Sequence, residues 1–231
     1  MNLLAIDSAC SILSIAVSKG DDIMYTQTDA ETKQSEIAME CIDSLMKKAS
    51  LKPQDLNGIL CMGGPGSFTG LRIGYSIAKG LAISLSIPFV PVPTLDCIAY
   101  QITTDNSGEI FEIALAAIEA RKNAFFYAFF RSGERLTPDT DGTAEQIIAA
   151  INSYKSEKII LAGPGAISLY STLPPQTKNN IIIDDKICGY AKELIYTAKS
   201  KNLFNNDNSA FLYSGPEYIR KTDAELNLLQ N

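Results

Sequence analysis

The run Gly63-Gly64-Pro65-Gly66-Ser67-Phe68-Thr69-Gly70-Leu71-Arg72-Ile73-Gly74 constrains this chain more than any other stretch. An apolar, strand-like segment, Leu56 to Met62, leads into it, and a helix-like segment leaves it and runs to about Leu85. A glycine-rich turn between a strand and a helix exposes backbone N–H groups that have no partner inside the helix. Those donors and the positive end of the helix dipole suit a phosphate or a carboxylate. The run is not a Walker loop, because Gly-Lys-Ser/Thr is missing. Two readings stand side by side: an anion site, or a tight turn and close helix packing for which glycine is needed.

The chain has 231 residues, 46% of them hydrophobic, enough for one large domain or two small lobes. Lys and Arg number 20 against 26 Asp and Glu, a net charge of −6. An acidic chain without a basic cluster is poorly suited to hold nucleic acid alone. The first residues have no basic leader and Asp7 interrupts their apolar run, so neither a signal peptide nor a membrane span is expected. Five cysteines (Cys10, Cys41, Cys61, Cys97 and Cys188) are scattered, without a Cys-x-x-Cys pair, and read as buried thiols in a reducing cytosol. Histidine is absent. That excludes a Ser-His-Asp triad, a Cys-His dyad and a His-Glu-x-x-His zinc site.

The pattern predicts strands at Leu3–Asp7, Ser11–Ser18 and Asp22–Thr28, then a helix over Lys33–Ser50. The strand Leu56–Met62, the glycine-rich turn and the second helix follow, then a short strand Phe89–Val92 and a helix Thr94–Ile102. The second half repeats this order. Glu112–Glu119 and Asn123–Arg131 read as strands, with a weaker third one. A helix Thr143–Tyr154, a strand Lys158–Ala162, the turn Gly163-Pro164-Gly165, a strand at Ile181–Asp184 and a helix Tyr190–Lys201 complete it. A βββαβα order occurring twice predicts two α/β lobes flanking a cleft. The boundaries fall at residues 1–107, 108–204 and a C-terminal segment 205–231 that packs back on the first lobe. Asp7 and Glu119 end the first strand of each half, so both carboxylates are candidates to face the cleft and a metal–phosphate ligand; the alternative is that they cap turns.

The second helix carries a ridge of small residues, Gly70, Gly74, Ala78 and Ala82. Arg72 and Lys79 are its only charges, and the rest of its surface is apolar nearly all round. The first helix has a wide apolar arc that includes Ile37 and Met39. The ridge packs either on the chain's own sheet or on a partner chain.

Several segments together resemble one family: Ala5-Ile6-Asp7-Ser8, the run from Gly64 to Gly74 with Ala78-Lys79-Gly80-Leu81-Ala82, Ile118-Glu119-Ala120-Arg121, and Pro216-Glu217-Tyr218-Ile219-Arg220. This is the TsaB (YeaZ) family, accessory subunits of the bacterial machinery that installs threonylcarbamoyladenosine on ANN-decoding tRNAs. The resemblance implies a two-lobed actin/Hsp70-like (ASKHA, ribonuclease-H-like) fold. It implies a TsaD-like partner that carries the metal-binding histidines and the transfer chemistry, a separate enzyme that makes threonylcarbamoyl-AMP, and a small TsaE-like ATPase in the complex. It further implies a non-catalytic subunit, bound to its partner through its first two helices, dimeric when alone, and contacting tRNA only indirectly. The chain then has no cofactor of its own, any ATP or ADP belongs to the complex interface, and there is no membrane contact.

Interface candidates are Ile37, Met39, Cys41, Leu71, Gly74, Tyr75, Ala78 and Lys79. Candidates for an anion or nucleotide contact are Asp7, Gly64, Gly66, Ser67, Arg72 and Glu119. No catalytic or metal residue is assigned. Two departures from the family pattern stand out: Glu119 where Asp is usual, and Gln34-Ser35 where many members have His-Ser. The rival readings are an actin-like phosphotransferase or ATPase using Asp7, Glu119 and both glycine-rich turns, and a peptidase, which the lack of a His-x-x-x-His pair disfavours.

Overall fold

A computed structural model describes residues 1–30, 33–105, 110–120, 123–205 and 208–219. Arg121 and Arg220 of the family-like segments, and the expected boundary at residue 107, lie outside the described residues.

The first sheet contains β1 (Leu3–Asp7), β2 (Ile12–Lys19), β3 (Asp22–Asp29), β4 (Gly58–Gly64) and β5 (Phe89–Pro93), in the order β3-β2-β1-β4-β5. β1 and β4 are buried along their whole length, as parallel strands with both faces covered must be. β2 and β3 form a hairpin closed by Gly20-Asp21, with Gly20 at φ 63°, the left-handed geometry that a glycine adopts without strain. Helices α1 (Gln34–Lys48) and α2 (Phe68–Leu85) lie on one face of this sheet. α3 (Thr94–Asp105) follows β5 and packs against the second sheet.

The second sheet contains β6 (Ile113–Glu119), β7 (Ala124–Arg131), β8 (Glu134–Arg135), β9 (Thr140–Thr143), β10 (Ile159–Ala162) and β11 (Ile181–Ile183), in the order β11-β10-β6-β7-β8, with β9 also on β7. α4 (Ala144–Ile151), α5 (Ala166–Thr172) and α6 (Pro175–Lys178) belong to this half, and α7 (Ala191–Ser200) closes it in the sequence. The expected weak third strand is split into β8 and β9, because Pro138 breaks the run between them.

One hydrophobic cluster spans both halves. It joins Ala5, Leu60 and Val90 of the first sheet to Ala114, Ala116 and Ile160 of the second through α3 and α7. α7, expected in the C-terminal lobe, packs on β1 and β2 of the first sheet. The two connecting helices therefore fill much of the space between the sheets. A polar clamp reinforces them: buried Asp96 on α3 accepts from Arg135 of β8 and from Lys201 after α7.

α2 begins at Ser67, whose side chain accepts from the Gly70 N–H at 3.2 Å, and ends at Ser86 in the left-handed region. Its small-residue ridge settles the choice left open by the sequence. A Cβ on Gly70 would run into the Ser8 carbonyl oxygen, and one on Gly74 would come within 2.7 Å of Ser8 Oγ. Ala78 and Ala82 are fully buried against the first sheet with Ile6, Ile59 and Cys61. The ridge lets α2 approach its own strands. Leu71, Gly74, Tyr75 and Ala78 are interior residues, so their assignment to an interface between chains is corrected.

Gly70→Ala and Ala78→Glu are expected to lower thermal stability, the first by overpacking of about 1–3 kcal/mol and the second by more, since it buries an unpaired charge. Calorimetric melting of both variants checks this; unchanged melting would return the ridge to the surface.

Candidate functional site

The two glycine-rich turns follow β4 and β10, and Asp7 and Glu119 end β1 and β6. Asp7 is fully buried and already occupied. Its Oδ1 accepts from the Ala9 N–H at 3.0 Å, and its Oδ2 from the Tyr190 N–H at 2.7 Å. Tyr190 opens α7, so the carboxylate sits on the positive end of that helix. The two neighbouring amides are also taken: Gly189 donates to Gln27 Oε1 at 3.1 Å and Ala191 to Ser14 Oγ at 3.4 Å. Burial pushes Asp7 up to about 6, against the pull of its two backbone donors and aided by the charge of nearby Glu193.

Glu119 stands on the surface instead, accepting from Ser168 Oγ at 3.0 Å. One carboxylate is sealed inside and the other faces solvent, so the matched pair expected from the duplication does not form. Among the described residues, no group of three His, Cys, Asp or Glu is placed to hold a metal ion.

The glycine-rich turn of the first half is also closed by its own chain. The Ser67 N–H donates to Ala9 O at 2.7 Å. A Cβ on Gly66 would lie 2.8 Å from that same oxygen. On the other side the Glu217 N–H donates to Gly63 O at 2.8 Å, and the Glu217 carbonyl crowds Gly64. Arg72 stacks on Phe68 at 3.8 Å from the ring centroid, and its Nε donates to the Tyr218 hydroxyl at 3.2 Å. Gly64, Gly66, Ser67 and Arg72 thus serve packing and the C-terminal segment. Asp7 is taken up by backbone donors and Gly64 and Gly66 are closely packed, so their expected role as an anion or nucleotide contact is corrected; Ser67, Arg72 and Glu119 are exposed.

Lys79 is held in the same way. Its ammonium donates to Leu212 O at 2.9 Å and to Ser214 O, between the rings of Tyr75 and Phe89. The two cations of α2 therefore pin residues 212–218 along the helix. The sequence signalled the far end of this strap, in Pro216-Glu217-Tyr218, but not which helix it would meet. An open pocket of about 730 Å³ lies beside the strap at the C-terminal end of α2, lined by polar and apolar residues that include Ile83, Ser86, Phe89, Asn208 and Tyr213.

The surface that stays open is the outer face of α1 and α2. Ile37 and Cys41 of α1 and Ile77 and Leu81 of α2 are half-buried and pack against the core, and Met39 is 48% exposed. Gly80 faces open space, with nothing within 4 Å of an added Cβ. Gln34, the residue that replaces a common histidine, is buried at the start of α1 and donates through Nε2 to Cys10 O at 2.7 Å.

A family model described as TsaD, tRNA N6-adenosine threonylcarbamoyltransferase, matches residues 22–228. A protein of Bacillus subtilis (strain 168) named tRNA threonylcarbamoyladenosine biosynthesis protein TsaB is 40% identical over 100 residues, 43% of this chain and 44% of that protein. The chain belongs to this family, as a TsaB/YeaZ-type member. The protein of the same name from Escherichia coli (strain K12) is 29% identical over 134 residues, 58% of this chain and 57% of its own length. The chain thus spans about half the length of these TsaB relatives. YeaZ from Pseudomonas aeruginosa has the same fold, with a TM-score of 0.77 at 20% identity over 94% of this chain and 99% of that one. The two-lobed actin-like architecture is therefore the fold of this TsaB/YeaZ-type chain. Among the described residues no helix is long and apolar enough to cross a membrane.

A raised carboxyl pKa stabilises the fold below about pH 4, and that stabilisation is lost as pH rises through about 6. Between pH 7.5 and 5, the native protein is expected to gain about 1.4 kcal/mol relative to Asp7→Asn. Denaturant titrations of both proteins at the two pH values measure this. A constant difference would mean that Asp7 is not the buried acid described.

Proposed function

We propose that this chain is a non-catalytic subunit that activates a TsaD-like transferase in threonylcarbamoyladenosine modification of ANN-decoding tRNAs. The observation that carries this reading is the state of the cleft. Its carboxylate, its glycine-rich turn and its helix N-terminus are bound to the chain itself, while α1 and α2 present an open apolar face. The names of the TsaB relatives and of the matching family support the pathway. With no histidine in the chain, the metal chemistry belongs to the partner. The chain acts by binding, its association energy favouring the partner's competent conformation.

In this reading the partner docks on Ile37, Met39 and Cys41 of α1 and on the outer edge of α2 at Ile77 and Gly80. Without a partner, the same face closes on a second copy. A TsaE-like ATPase completes the assembly, and any ATP or ADP is held at the interface of the complex rather than in this cleft. The complex works in the cytoplasm and takes tRNA through its other members.

Gly80→Arg adds a long side chain over open space, so melting is expected to be unchanged while affinity for the TsaD-like subunit falls at least about tenfold, a loss of about 1.4 kcal/mol or more. Met39→Asp is expected to do the same. Normal binding by both folded variants would remove the docking face. In reconstitution with threonylcarbamoyl-AMP and tRNA, product is expected only when the partner is present. This chain alone is expected to bind tRNA no better than about 10⁻⁴ M at physiological salt; product without the partner, or a tight salt-resistant tRNA complex, overturns the subunit reading.

A further inference from the structure

Cys10 and Cys188 stand on two segments that are held together at successive points. The Asp7 carboxylate accepts from the Ala9 N–H through one oxygen and from the Tyr190 N–H through the other. The residue before Cys10 and a residue just after Cys188 thus share one side chain. One residue further, the Ala191 N–H donates to Ser14 Oγ. Gly189 lies so close to the first sheet that a Cβ there would come within 2.3 Å of Ser14 Cβ and 3.2 Å of Ile12 Cγ2. The chain over 188–191 is therefore pressed against the chain over 7–14, with a thiol on each side of the contact.

The two thiols belong to one environment. Both are half-buried, and both pack on the hydrophobic cluster that joins the two sheets. Burial pushes the Cys10 thiol up, the charge of Asp7 adds to that, and the charge of Cys188 acts on it as well. Tyr190 is raised by burial and then by Cys188 and Cys10 together. The other cysteines are placed differently: Cys61 and Cys97 are fully buried in β4 and α3, and Cys41 is on α1. The surroundings of the two sulfurs also divide their roles. Gln101 Nε2 donates to Cys188 Sγ at 3.1 Å, a hydrogen bond that favours the thiolate. Cys10, beside Asp7, is held as the protonated thiol.

We propose that Cys10 and Cys188 are a redox pair, which peroxide closes into a reversible disulfide that staples the β1–β2 turn to the start of α7. The Cys188 thiolate attacks one peroxide oxygen. The O–O bond breaks, and the leaving hydroxide takes up the proton that Cys188 gave to solvent, so that Cys188 becomes a sulfenic acid. The Cys10 sulfur then attacks the Cys188 sulfur; the S–O bond breaks, and the Cys10 proton leaves with the oxygen as water. Two thiols lose two electrons, and one peroxide is reduced to two waters. A thiol reductant reopens the bond by exchange, so in a reducing compartment the link is transient, as a sensing disulfide is. Its closure reaches a junction of elements, since Cys10 O also holds Gln34 at the start of α1.

The whole protein is treated with a small excess of hydrogen peroxide, then unfolded for thiol counting and peptide mapping by mass spectrometry. It is expected to lose two of its five thiols and to yield a Cys10–Cys188 cross-linked peptide. The melting temperature is expected to rise, because the link restrains the unfolded chain over a long loop, and to return on addition of dithiothreitol. Cys10→Ser strands Cys188 as the sulfenic acid, which dimedone captures, and gains no stability from peroxide. Cys188→Ser forms no cross-link and captures no dimedone. If Cys10→Ser does not fold, the native protein and Cys188→Ser still decide. Five thiols left after treatment, oxidation of Cys188 to the sulfinic acid without a cross-link, or a disulfide to any other cysteine or between chains overturns the pair. A Cys10–Cys188 link that lowers the melting temperature overturns the placement of the two sulfurs within reach in the native fold. Dimedone capture at Cys10 in Cys188→Ser overturns the order of the two steps.

Discussion

The turn from Asp7 to Ser11, between β1 and β2, is the interaction on which the rest of the structure depends. Three helix N-termini converge on it. Asp7 accepts from Tyr190, the N-cap of α7, Ala9 O accepts from Ser67 at the start of α2, and the Gln34 side chain at the start of α1 donates to Cys10 O. Ser8 sits beneath α2, where its carbonyl and hydroxyl occupy the space that side chains at Gly70 and Gly74 would need. Helix N-termini carry unsatisfied donors that must find acceptors. Here a single turn supplies acceptors to the N-termini of α7 and α2 and to the Gln34 side chain of α1, and so ties three helices to one sheet.

That economy has a functional consequence. In an actin-like fold, the same turn and the same helix ends are the natural place for an anion. Once a buried carboxylate and several carbonyls fill those positions, little is left to hold a phosphate. The strap along α2 closes the remaining side at Gly63 and Gly64. The outer face of α1 and α2 carries the half-buried Ile37 and Cys41 and the exposed Met39 and Gly80.

Much of the fold was legible in the sequence. The strands β1, β4, β6 and β10 are short continuous apolar runs of the kind that a doubly covered parallel sheet needs. The repeated order of elements and the two Gly-Pro-Gly turns gave the duplication. The site was far less legible. Asp7 and Glu119 occupy equivalent positions in the two halves, and their spacing along the chain says nothing of burial. Asp7 goes inside because α7, whose N-cap Tyr190 lies 183 residues further along the chain, brings it a helix N-terminus. Glu119 remains outside with Ser168 as its neighbour.

Period and composition by themselves determined the elements, the two-lobed plan and the absence of histidine chemistry, since these depend only on local backbone preference and on which side chains exist. The direction in which α2 turns its small residues was a tertiary decision. Gly70, Gly74, Ala78 and Ala82 make a helix able to approach something closely, whether its own sheet or another chain. Ser8 and Cys61 settle which, because they fill that close approach from within. Likewise Arg72 and Lys79 read as exposed charges until residues 212–218 fold back and take them. A helix face acquires its meaning from what packs on it, and segments distant in sequence supply that packing only when the chain is folded.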